Sequence, residues 1–242
     1  MIHYHGMSTT GSHRDVMGLA QGRHIFISYA DHGVLPRVAS VASSFALDNG
    51  AFSAWKSGRP MDYDGFVEFV RKWHRHPAFD WACIPDVIDG DERVNDEWLD
   101  RWPDDLIGVP VWHLHESIDR LVRIASVFKR IAFGSSGEYS TPRTQGWWRR
   151  IGEAMEAICV NGQPICKLHG MRMLDPQIFT RLPLSSADST NAERTARRSN
   201  NWGAFAPPTK GQRASVIAWR VESNQSAEVW EPSPQMELDL AI

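Results

Sequence analysis

The sequence holds only three cysteines, Cys83, Cys159 and Cys166, and none falls in a CxxC or CxH pair. That scarcity argues against a disulfide framework and against a thiolate zinc site. Basic charge is not in excess, because 26 Lys and Arg stand against 29 Asp and Glu, a net charge of −3. Contact with a polyanion must therefore come from a local patch rather than from the chain as a whole. No apolar run is long enough to span a bilayer, and the polar, histidine-bearing start has no apolar signal core. A reducing cytoplasm is the expected compartment. Repeats and low-complexity tracts are also missing.

What is present describes an ordinary globule: 242 residues, 42% hydrophobic and 23% charged, long enough for one large α/β domain. Short apolar runs at 2–6, 24–29, 45–48, 81–86, 109–115, 130–134, 164–169 and 182–187 read as strands. Between them, 12–20 (capped by Ser12), 34–44, 62–74, 91–102, 117–129, 145–159 and 176–180 read as helices, and the basic segment NAERTARR from Asn191 as a last one. Eight strands alternating with eight helices predict parallel pairing through right-handed crossovers and closure into a single (β/α)8 TIM-type barrel. The barrel is assigned to residues 1–200, and residues 201–242 to a tail or wrapping extension.

Three of the runs end in acids: Asp48 after Phe45-Ala46-Leu47, Asp86 after Cys83-Ile84-Pro85, and Asp188 after Ser185-Ser186-Ala187. An acid at the end of a buried strand is costly unless capped or used. A lone one is as often an N-cap as a functional group. In a barrel of this kind all strand ends meet at one mouth, so three acids there point to a single site. His113, Gly134 and His169 fall at further strand ends.

These residues resemble the motifs of the tRNA-guanine transglycosylase family, most closely its deazaguanine DNA transglycosylase branch, found in phages and bacterial modification clusters. Asp48-Asn49-Gly50-Ala51-Phe52 resembles the family's Asp-Ser-Gly-Gly-aromatic motif, and Asp86 its base-recognising aspartate. Trp112-His113-Leu114 resembles the Val-Gln-Gly strand end, with His in place of Gln. Gly134-Ser135-Ser136-Gly137-Glu138 resembles the Gly-Gly loop before a Gly-Glu pair, and Leu168-His169-Gly170 the Leu-Met-Gly segment. Asp188 stands where the family's nucleophile falls. The likeness spans about residues 45–197, and the zinc-binding subdomain of the tRNA enzymes has no counterpart, since no cysteine follows Cys166.

The resemblance implies exchange of guanine for a 7-deazaguanine such as preQ0 in DNA, with neither metal nor cofactor. Asp188 would form a covalent bond to C1′, and Asp48 would carry the proton. Asp86, Phe52, Asn49, His113, Gly134, Ser135 and His169 would bind the base, which must be flipped out of the duplex. Arg143, Arg149, Arg150, Arg194, Arg197 and Arg198 would contact phosphate, although each cluster also reads as a solvated helix face. Action on tRNA remains an alternative, and a partner protein or a homodimer is left open. A rival reading is a metal-dependent amidohydrolase-type barrel, with His3, His5, His113 or His115, His169 and Asp188 as ligands.

Overall fold

The computed structural model describes residues 1–7, 13–198, 202 and 205–232. Ser12, expected as a helix cap, lies outside them. Nine parallel strands form one sheet: β1 Ile2–Gly6, β2 His24–Ser28, β3 Ser44–Asp48, β4 Phe79–Cys83, β5 Gly108–Val109, β6 Val111–His113, β7 Arg130–Gly134, β10 Lys167–Gly170 and β11 Ser186–Ser189. A small antiparallel hairpin, β8 Cys159–Val160 with β9 Gln163–Pro164, precedes β10.

The sheet runs β5-β4-β3-β2-β1-β11-β10-β7-β6, so its two ends are β5 and β6. These are neighbours in sequence, separated by Pro110 alone. A proline has no N–H to give a ladder, and here it marks a change of partner. Before it, Cys83 pairs with Val109; after it, Val111 pairs with Ala132 and His113 with Gly134. The Pro110 carbonyl accepts from Ala132 N–H at 2.8 Å. The result is an α/β fold whose parallel sheet is curled into a nearly closed, barrel-like form.

Alternation along each strand sorts the side chains into two layers. Tyr4, Phe26, Ala46, Trp81, Cys83, Val109, Val111 and Ala132 point inward and form one buried cluster. Their neighbours, such as Ile25, Ile27, Phe45 and Leu47, point outward under helices. Those helices are α1 His13–Ala20, α2 Leu35–Ala39, α3 Ala51–Lys56, α4 Tyr63–Trp73, α5 Glu92–Arg101, α6 Ile118–Val127, α7 Gln145–Ile158, α8 Pro176–Phe179, α9 Asn191–Thr195 and α10 Lys210–Glu222. Side chains of Asp62, Asp91, Ser117, Thr144, Asp175 and Thr209 accept from free N–H groups at helix starts.

Several expected boundaries move. The run 81–86 becomes β4 at Phe79–Cys83, and 182–187 becomes β11 at Ser186–Ser189. Asp86 therefore stands beyond its strand and Asp188 within one. The helix expected over 34–44 is a 3-10 turn at Tyr29–Val34 followed by the short α2. Helices α3 and α10 arise where none was expected; α10 packs against α1 and α9, and Trp230 N–H bonds to Gly162 at the hairpin. Among the described residues, no helix is long and apolar enough to cross a membrane.

Candidate active site

Asp48 closes β3, beside Ser28 at the end of β2. The Ser28 hydroxyl and Gly50 N–H both donate to its carboxylate. Gly50 has φ 82°, a left-handed conformation that lets the chain turn back over the acid. Burial pushes the Asp48 carboxyl up to about 6, and the charges of Asp188 and Asp86 push the same way against those donors. Beneath lies Cys83, fully buried, its thiol raised by burial and then by Asp48, Asp86 and Asp188. Three carboxylates, from the end of β3, the loop after β4 and β11, thus act electrostatically on one buried thiol.

Asp86 is 7% exposed and bonded on both oxygens. Asn49 Nδ2 donates to Oδ1 at 2.5 Å, and His113 Nε2 meets Oδ2 at 2.5 Å. Asn49 also donates to the Ile84 carbonyl and accepts from Ala51 N–H, which locks its amide orientation. Burial alone would lower the His113 pKa, but its bond to Asp86 and that carboxylate's charge hold it above the ordinary value. Its Nδ1 is buried without a partner among the described residues and faces Gly134, where a Cβ would come within 2.8 Å. A second buried layer holds this pair. Glu116 accepts from His113 N–H, Asn95 and Arg120, while Asn95 also pairs with the backbone of Val87 next to Asp86.

Asp188 is 6% exposed. Its Oδ1 accepts from Arg172 N–H at 2.9 Å and faces His169 Nε2 at 3.3 Å, and its backbone carbonyl accepts from Leu174 N–H. His169 Nδ1 meets the buried Ser186 hydroxyl at 2.8 Å. Burial lowers the His169 pKa, although Asp188 opposes the shift. A neutral imidazole beside a carboxylate keeps its proton on Nε2, so the Ser186 hydroxyl must donate to Nδ1. The His169 ring has no exposure and packs on Trp81 and Phe26. Expected to touch the base, it instead lies under the acid and orients it.

Phe52 is 38% exposed at the rim, and the Arg172 guanidinium covers its ring at 3.5 Å from the centroid. The Ser135 hydroxyl accepts from the Trp147 indole, and Gly134 lies against His113. Among the expected phosphate-binding residues, Arg149, Arg194 and Arg198 are exposed. Arg143 is bonded to Gln177 and near Asp175, and Arg197 is paired with Glu193. Arg150 is corrected: it donates to the carbonyls of Leu114 and Glu116 and pairs with Glu153. Each of its three guanidinium nitrogens thereby has a partner within the fold.

The histidines of the rival metal reading also separate. His3 Nε2 meets the Asn224 carbonyl and His5 Nε2 meets Glu222 on α10, both on the outer face because Tyr4 between them points inward. Among the described residues, no three His, Cys, Asp or Glu side chains are grouped to hold a metal. Sequence reasoning missed Arg172, Ser186, Glu116 and Asn95. Only the pairing of Glu116 with Arg120 at helical i,i+4 spacing was a readable signal.

A scan against models of protein families finds no match to this chain, and a search of curated proteins finds none.

Proposed function

We propose that the chain is a base-exchanging pentosyltransferase, and that it replaces guanine in DNA with a 7-deazaguanine of the preQ0 type. In this reading β5 and β6 count as one strand interrupted at Pro110, and the fold is a (β/α)8 barrel of TIM type without a zinc subdomain. The observation that carries the proposal is the meeting of Asp48, Asp86 and Asp188 at one buried thiol, each in a different electrostatic setting. Acids held by different partners can serve as nucleophile, proton carrier and recognition group.

The second oxygen of Asp188 attacks C1′ as the bond from C1′ to guanine breaks, giving a glycosyl ester. Arg172 N–H and His169 hold the first oxygen in place. Asp48, raised to about 6, delivers a proton to the departing base and takes one from the incoming base. The incoming base then attacks C1′ and releases the Asp188 carboxylate, so sugar configuration is retained over two displacements. Asp86 accepts from the N1 and amino groups of guanine, with His113 and Asn49 fixing its plane.

The test is incubation of purified protein with radiolabelled preQ0 and either guanine-containing DNA or tRNA. Label is expected in DNA, with Asp188→Ala losing both incorporation and any covalent adduct. Normal exchange by Asp188→Ala would remove Asp188 as nucleophile, and label in tRNA alone would reassign the substrate.

A further inference from the structure

We propose that Arg172 and the exposed face of α3 form a platform for single-stranded nucleic acid, so that the site takes its nucleotide from within a strand and not as a free nucleoside. The inference rests on the base-exchange reading above and extends it to the substrate beyond the three acids. Phe52 and Trp55 lie three residues apart on α3, with ring centroids 5.7 Å apart and exposures of 38% and 51%. Exposed rings that adjoin one another next to an arginine bonded to Asp188 call for a partner. Lys56 and Arg59 follow on the same exposed stretch, and neither has an acid partner among the described residues.

Arg172 joins this strip to the acids. Its backbone has φ 58°, in the left-handed region, and its N–H is bonded to Asp188. Its side chain is exposed and rests on Phe52, with no carboxylate paired to it among the described residues. A guanidinium parked on an aromatic ring is free to receive an anion. Because the same residue holds the group that must reach C1′, that anion is a phosphate flanking the target nucleotide. The next base then stacks on Trp55, which accepts any base because each has a π-face.

The test is fluorescence anisotropy with a labelled single-stranded oligodeoxynucleotide over a range of salt, read without any base exchange. Trp55→Ala is expected to weaken binding about 5- to 150-fold at unchanged salt slope, with Trp55→Phe recovering most of it. Arg172→Asn, which suits the left-handed backbone, is expected to reduce the salt slope by about 0.7. Trp219→Ala on α10 serves as the control. Wild-type affinity and slope in both variants, or no binding by the wild type, overturns the platform. A wild type that binds with these dependences but exchanges no base sinks the reaction assigned above and leaves the platform standing.

Discussion

At the scale of single residues, the environment of Asp48 has a cost that can be measured. Its carboxyl moves from an ordinary 3.8 to about 6 on folding, so the folded chain binds more protons than the unfolded one between those pH values. Stability therefore falls as pH rises through that window, and the deficit is complete above about 6. Asp48→Asn keeps an acceptor for Ser28 and Gly50 and removes the charge. It is expected to raise stability at pH 8 by roughly 1–3 kcal/mol, with no gain near pH 4 and loss of turnover, as urea melts at the two pH values would show. Ser186 gives a second prediction. Without its hydroxyl, Nδ1 loses its donor and Asp188 alone holds the His169 proton on Nε2, so the donor to Asp188 weakens. Ser186→Ala is expected to move the acid limb of kcat/KM to higher pH and to mix the tautomers in 15N spectra, with Ser186→Thr restoring both. An unchanged limb and a single tautomer would leave Ser186 as packing alone.

At the scale of elements, the loop after β4 and the end of β6 are tied by the Glu116, Asn95 and Arg120 layer. Glu116 and Arg120 have 0% and 1% side-chain exposure. Arg120→Met strands the Glu116 charge in the interior and is expected to cost about 3–5 kcal/mol; Glu116→Gln in the same chain should return part of it. Elements with strong signals were readable in advance. Helix α4 has its apolar face and its Asp62 cap, and β7 is a clean apolar run bounded by Gly134. Others gave less. α10 is polar along much of its length, and its one clear mark is the reciprocal cap between Thr209 and Gln212. α3 follows a Gly50 turn that reads as loop, although its chain turns at once into a helix. Strand limits slipped at 81–86 because Ile84 and Pro85 are apolar although residue pairing ends at Cys83, with Ile84 N–H giving only a last bond to Val109.

At the scale of the whole molecule, the alternation of strand and helix was legible because each layer must bury one face. The convergence of Asp48, Asp86 and Asp188 followed from that order and not from any local motif. What was not legible is which way each side chain turns. His113 ends β6 level with Gly134, whereas His169 lies level with Ala132, two residues deeper, so the second lies beneath an acid in a ring of aromatics and the first beside an acid in a charged layer. The basic clusters were visible as composition, but only contacts separate Arg150, which is tied to two backbone carbonyls, from Arg149, which is exposed.

The split of one run at Pro110 has a consequence for how the protein meets other chains. An open parallel sheet offers two lateral borders, each a row of unsatisfied amides and carbonyls onto which another chain can add. Here the two borders are successive pieces of the same few residues, Gly108–Val109 and Val111–His113, and each is already bonded on the side away from the other. Little template is left for a foreign strand, so this sheet guards against self-association by its path and not by charged or proline-rich margins.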